Sequence, residues 1–313
     1  MHRALIAAVA MATIVAAPAA ATATPVPSPV TAGAAQDPMS GRWSHEALEA
    51  SVSGPIATAE SGNLARGEQE FERLLADAGD YPEERCRLLT AFAVGLMTLF
   101  EPGAEPVKYM RRAVLEARKA FPAESRMLAM ALADYGILEL ETGGRASPEG
   151  EAALVEALGI RMRLLGPYHI ETLVASTSLG QIRGAPERTG RSPAKVMEAS
   201  RFFAPLLRAE PLENPEDSID YLYLQWTEML IDNRRPDMAC KVLEALPEVD
   251  PRLGLNLAHI GFSVGLQLQA AGFEGQAAPL VKEGVETGTL LGALLGLQTA
   301  PDGTGPPPRC GAA

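Results

Sequence analysis

The residues with the most obvious chemical potential are Gly261-Phe262-Ser263-Val264-Gly265, which fit the G-x-S-x-G pattern of a hydrolase nucleophile elbow, with His259 close by as a possible base. An elbow requires a strand before the serine and a helix after it, so that the hydroxyl stands on a sharp turn at the top of a sheet. Leu253 to Ala271 instead reads as one helix, and no parallel strands are evident to build the sheet. Ser192-Pro193-Ala194-Lys195 fits the S-x-x-K pattern of penicillin-binding enzymes, but the companion S-D-N and K-T-G elements are absent. Ser192 followed by Pro193 is the better description of a helix start: the hydroxyl accepts a backbone N–H, and proline has none to satisfy. Of the four histidines, His2 lies in the leading segment, and the others show no metal-ligand spacing. There is no phosphate loop, so neither metal nor cofactor is expected. Cys86, Cys240 and Cys310 allow a single internal bridge and leave at least one thiol. Cys86 and Cys240 fall in helical patterns as small apolar residues, and Cys310 sits in a Pro/Gly tail. A bridge between Cys240 and Cys310 is one open arrangement.

The elements that must carry these residues are helical. Between Gly41 and Thr299 the chain alternates helical patterns with short breaks at Ser61-Gly62, Glu101-Pro102-Gly103, Thr142-Gly143-Gly144, Asp232-Asn233 and Gly272-Phe273. Caps and breaks predict six helix pairs, with first helices over 44–60, 82–100, 124–141, 170–183, 215–231 and 253–271. Their partners are predicted over 63–78, 105–121, 147–165, 192–209, 237–246 and 274–286. The fold class is therefore all-α.

A large-then-small pair recurs in five first helices: Val94-Gly95, Tyr135-Gly136, Leu179-Gly180, Trp226-Thr227 and Val264-Gly265, spaced by 41, 44, 47 and 38 residues. A glycine inside a helix costs roughly 1 kcal/mol against alanine, so its repetition calls for a compensating gain. Close approach of the paired second helix supplies one, since no Cβ stands in the way. The second helices carry a matching face at Gly67, Phe71, Leu74; Ala153, Ala157, Ile160; Ala239, Leu243, Leu246; and Ala277, Val281, Gly284.

Here the chain resembles the tetratricopeptide repeat (TPR) family. Glu156 to His169, with its Ala157-Leu158 and Ile160-Arg161 elements and Leu165-Gly166-Pro167-Tyr168-His169, followed by Glu171-Thr172-Leu173, is similar to the longer repeat of kinesin light chains. Arg112 to Arg118 with Phe121-Pro122 is a weaker copy, 43 residues earlier from Arg118 to Arg161, and Gly272 to Ala277 resembles the family's inter-helix turn. The resemblance spans about residues 60–286. It implies an α-solenoid of about five to six antiparallel helix pairs, with His169 making a structural hydrogen bond between helices. It also implies a concave face lined by first helices, and the family's register places Asp134, Thr177, Ser178, Gln181, Tyr221, Gln225, Glu228 and His259 there. Such a groove is neutral to acidic. It lacks the Lys, Arg and Asn that relatives use to grip a peptide's terminal carboxylate.

The ends of the chain suggest where it works. His2 and Arg3 precede the apolar run Ala4 to Ala17 and a small-residue stretch, the layout of a secretory signal peptide cleaved near Ala21 or Ala23. The run is shorter than the roughly 20 residues a membrane-spanning helix needs. Residues 1–23 are thus read as a signal peptide, 24–40 as a Pro/Ala/Thr linker, 41–299 as the helical repeat domain and 300–313 as a tail. The formal charge of −12, with 5% aromatics and scattered basic residues, argues against a nucleic-acid partner. Gly288, Gly292 and Gly296, inside an apolar stretch, suit a capping helix or a homo-oligomer contact through residues 287–298, and the stretch is too short to span a bilayer. The expectation is a periplasmic or secreted scaffold that binds a protein or peptide and is not an enzyme. The alternatives are a serine hydrolase using Ser263, or a structural protein self-associating through the Gly-rich C-terminal helix.

Overall fold

A computed structural model describes residues 45–99, 105–143, 146–210, 219–246, 255–286 and 310. The signal-peptide, linker and Gly288–Leu297 expectations lie outside these residues, as does the tail apart from Cys310. The described residues form thirteen helices and no strand, so the fold is all-α. The region expected as one domain over 41–299 divides into two compact units between Arg145 and Ala146.

The first unit contains α1 (His45–Glu60), α2 (Leu64–Asp77), α3 (Pro82–Leu99), α4 (Pro106–Ala120) and α5 (Arg126–Gly143). Helices α1 and α2 form a hairpin, as do α3 and α4, and α5 packs on α4. The first helices also meet directly, α1 against α3 and α3 against α5. Gly67 explains the close contact of α1 and α2, because a Cβ there would stand 2.5 Å from the Pro55 carbonyl oxygen. One turn later Phe71 stacks on Phe92 of α3 with ring centroids 3.9 Å apart, and Tyr109 of α4 meets both rings edge-on. This cluster joins three helices through rings whose edge-to-face contacts add to their area burial. The Tyr109 hydroxyl donates to Glu68 at 2.8 Å, so its polar tip is satisfied while the ring is buried.

The second unit contains α6 (Pro148–Leu165), α7 (Ile170–Gly184), the single turn α8 (Pro186–Thr189), α9 (Pro193–Ser200), α10 (Asp220–Asp232), α11 (Pro236–Ala245), α12 (Leu257–Ala270) and α13 (Glu274–Glu286). Its hairpins are α6/α7, α7/α9, α10/α11 and α12/α13, and α10 packs between α7 and α12. Ser147 caps α6 by accepting from Gly150 N, and His169 caps α7 by accepting from Glu171 N at 3.3 Å. The hydrogen bond of His169 is therefore a local cap, not a link between helices. Arg161, fully buried, donates instead to the Glu171 carbonyl at 2.8 Å and ties α6 to the start of α7.

Three hairpins turn in the same way. Gly62, Arg234 and Gly272 all adopt positive φ, and the next residue in each case donates its N–H five residues back: Asn63 to Thr58, Arg235 to Leu230, and Phe273 to Leu268. This is the helix-ending pattern in which a left-handed residue satisfies the last carbonyls of the first helix. Arg234 takes that position with a side chain, at a cost of about 1–2 kcal/mol. Its guanidinium offsets part of that cost by donating to the Ala271 carbonyl at 2.7 Å and lying over the Phe273 ring, both in the next hairpin turn.

The recurring glycines do not all do the same job. At Gly180 a Cβ would meet the Phe203 ring 2.3 Å away, and at Gly265 it would meet Leu280 and Val281 of α13, so both permit close approach of the paired segment. At Gly95 the Cβ would strike Ile56 of α1, so the close contact there joins two first helices and not α3 to its partner α4. The predicted helix over 192–209 also departs from expectation. It ends at Ser200 and continues as a tight turn over Ala204–Arg208, because Pro205 has no N–H to continue the helix ladder. Cys240, expected as an ordinary buried apolar residue, is bridged to Cys310 across 70 residues, while Cys86 is free and buried.

Candidate binding face

The residues proposed to face a partner are positioned by α7, α10 and α12 in the second unit and, for Asp134, by α5 in the first. Helices α7 and α10 run parallel because their ends are tied like to like: the Asn233 amide, buried after α10, donates to the Gly184 carbonyl at 2.6 Å and to Met229 at 2.8 Å. Thr189 donates in turn to the Asn233 side-chain oxygen, which closes a buried polar clasp at this end. The starts of α10 and α12 are joined by Asp220, whose carboxylate accepts from Asn256 N at 3.4 Å and stands 3.6 Å from His259 Nδ1. Midway, the Thr227 hydroxyl lies 3.2 Å from Gln267 Oε1. Thr227 occupies the small-residue position of its helix and uses its hydroxyl where other first helices have no side chain.

These ties determine which predicted residues are accessible. Thr177 is 0% exposed and donates to the Val174 carbonyl, and Ser178 is buried and donates to the same carbonyl at 2.9 Å. Both side chains turn back onto their own helix. The cause is the central place of α7, which packs against α6, α9 and α10 at once and so has little free surface. Asp134 is also buried, in the first unit, where its charge helps to raise the pKa of Cys86. These three side chains are buried within their own units. Gln181 of α7, Tyr221, Gln225 and Glu228 of α10, and His259 of α12 remain half-exposed. They are the accessible polar residues of three adjacent helices. Gln225 Oε1 is enclosed and has no hydrogen-bond partner among the described residues.

Sequence reasoning missed the supports of this face. Asp220 is buried beside His259, and burial together with its nearby charge holds the Tyr223 phenol above its usual range, so the hydroxyl stays protonated and donates to the Leu206 carbonyl at 2.7 Å. Asn233 was legible only as a helix break, and its position there was the available signal. Of the half-exposed residues on these helices Glu228 is the carboxylate, while Glu171 and Asp220 of the same helices are buried.

Ser263 is half-exposed one helical turn beyond His259, in the interior of α12. No strand precedes it among the described residues, and Gly265, the last glycine of its motif, lies against α13. No group of three His, Cys, Asp or Glu residues that could hold a metal ion occurs among the described residues, and no helix among them is long and apolar enough to cross a membrane. In comparisons with known proteins, the chain matches no protein-family model and no curated protein.

Proposed function

We propose that the chain is an exported, TPR-like interaction scaffold that binds an extended segment of a protein partner across α7, α10 and α12. The observation that carries this reading is the set of half-exposed polar side chains Gln181, Tyr221, Gln225, Glu228 and His259 on three helices that pack side by side. A buried clasp between the ends of α7 and α10 and a part-buried tie between the starts of α10 and α12 keep such a row in fixed spacing, which lowers the ordering cost of binding. The shared turn geometry at Gly62, Arg234 and Gly272 supports a repeat origin for the hairpins. The Cys240–Cys310 bridge supports export, since disulfides persist in oxidising compartments. A face that presents Glu228 and no Lys, Arg or Asn among Gln181, Tyr221, Gln225, Glu228 and His259 favours a neutral or basic segment over one that offers a terminal carboxylate.

The test is affinity capture from an envelope fraction, comparing the wild-type chain with Tyr221→Ala/Gln225→Ala/Glu228→Lys and with an outer-surface control, Val155→Ser. A partner retained by wild type and control but lost by the triple variant is expected. Equal retention by all three removes this face from the function.

The hydrolase reading rests on Asp220 beside His259 with Ser263 a turn away. It has less support, because an α-helix interior commits its N–H groups to the helix and leaves none free to stabilise an oxyanion. Fluorophosphonate labelling that is abolished by Ser263→Ala would reverse that judgement.

A further inference from the structure

We propose that the Cys240–Cys310 disulfide is a redox clasp for the α12/α13 hairpin, and that its reduction selectively loosens those two helices. In a stack of hairpins each unit is stabilised by its neighbours, and a hairpin at the end has a neighbour on one side only. Among the described residues, α12/α13 is last. It meets the preceding hairpin through α10 and α11, and its buried apolar residues are few: Ile260, Phe262, Val264 and Leu268 on α12, with Ala277 and Leu280 on α13. The polar ties to it include Asp220 to Asn256 and Arg234 to Ala271, contacts at part-buried or exposed positions.

Cys240 stands in the middle of α11, immediately before this hairpin, and Cys310 lies beyond it. The bridge therefore closes a covalent loop that contains both α12 and α13. For the hairpin to leave the stack while oxidised, the chain must open within that loop, which has far fewer conformations than the same chain unbridged. Loop-closure entropy for 70 residues corresponds to a suppression of the open state of about a thousandfold.

Cys240 is 7% exposed and Cys310 is half-buried, so Cys310 Sγ is the more accessible sulfur for a reducing dithiol. One thiolate of the dithiol attacks Cys310 Sγ, the S–S bond breaks, and Cys240 leaves as a thiolate that takes up a proton. The second thiol then displaces the Cys310 thiol. Two electrons and two protons pass to the protein, and the dithiol becomes a cyclic disulfide. Because α12 carries His259, the clasp also governs whether the proposed face is complete. That last clause rests on the functional reading, and the clasp itself does not.

Hydrogen exchange read by mass spectrometry tests the proposal on the purified chain: oxidised, treated with dithiothreitol, and as Cys310→Ser, which keeps Cys240 in its place. Segments 257–270 and 274–286 are expected to exchange at least about 100-fold faster in the reduced protein and in the variant, with 82–99 unchanged. Reoxidation should restore protection in wild type and not in Cys310→Ser. Unchanged exchange in both segments overturns the clasp, as does equal acceleration of 170–184, which would make the bridge a general stabiliser of the unit. Partner binding is not read, so failure here is separable from failure of the scaffold proposal.

Discussion

Adding one methyl group at Gly180 and one at Gly159 should change stability in opposite directions. Both glycines lie inside helices, α7 and α6, where alanine is favoured by about 1 kcal/mol on propensity alone. At Gly159 the nearest atom to a new Cβ is the guanidinium nitrogen of Arg163 at 3.5 Å, an ordinary contact with a flexible group. Gly159→Ala should therefore stabilise by about 0.5–1 kcal/mol. At Gly180 the new Cβ would lie 2.3, 2.8 and 2.9 Å from three atoms of the Phe203 ring. Phe203 is fully buried and stacks on Trp226 with centroids 5.8 Å apart, so moving its ring by more than an ångström also disturbs the indole. Overpacking of this kind costs about 1–3 kcal/mol, which exceeds the propensity gain and leaves Gly180→Ala destabilised by about 1 kcal/mol. The contrast between the two variants is then about 2 kcal/mol, read as a difference in urea midpoint by circular dichroism at fixed pH. If both alanines stabilise the protein alike, Gly180 does not mark a close approach and the packing account of the second unit is wrong.

Trp226→Ala should cost about 3–5 kcal/mol, because the indole is 8% exposed and supports Phe203. An unchanged thermal melt would place that side chain outside the core. Trp226→Phe should cost less than the alanine variant, since Nε1 makes no hydrogen bond among the described residues. Burial first, and the charge of Asp134 second, push the Cys86 thiol up to about 12, so native protein at pH 8 should not react with Ellman's reagent. Unfolding without reductant should expose one thiol and reduction should yield three; rapid titration of the native chain would contradict the buried placement. Burial raises the pKa of Glu151, but hydrogen bonds from Arg188 and Arg183 outweigh it and hold the carboxyl below its ordinary value of 4.5. The stabilisation from this group is thus present above that value and lost as pH falls through the folded one. It amounts to about 1 kcal/mol at most for so exposed a network, and Glu151→Gln should remove that share of the difference in urea midpoint between pH 7 and pH 3. A variant with the same pH dependence as wild type would leave the network without energetic weight.

Hairpin boundaries were readable where a left-handed turn demands glycine, as at Gly62 and Gly272, and where proline or a cap opens a helix, as at Ser147-Pro148. The same turn at Arg234 was harder to read, because its strain is offset by contacts with Ala271 and Phe273 in another hairpin. Helix periodicity revealed that Gly95 and Gly180 pack closely but not against what. The difference between Ile56 of a neighbouring first helix and Phe203 of the paired segment is set by tertiary placement. Cysteine pairing was unreadable for a similar reason, since a bridge depends on the meeting of residues 70 apart. The register rule for the face picks half-exposed residues on α10 and α12 but buried ones at Thr177 and Ser178, because it assumes a helix with one free side, and α7 is enclosed by α6, α9 and α10. On α5 it picked Asp134, whose burial no count along the chain could reveal.

Site-specific photocrosslinking asks most directly whether the α7, α10 and α12 face receives a partner. A benzophenone amino acid at Gln225, between Tyr221 and Glu228, is compared with one at Val155, an exposed apolar residue on α6. In cells making the full chain, position 225 should yield one discrete adduct that Glu228→Lys weakens, while position 155 yields none. An adduct at 155 but not at 225, or one at 225 indifferent to Glu228→Lys, would show that partners are met elsewhere or that this face recognises nothing.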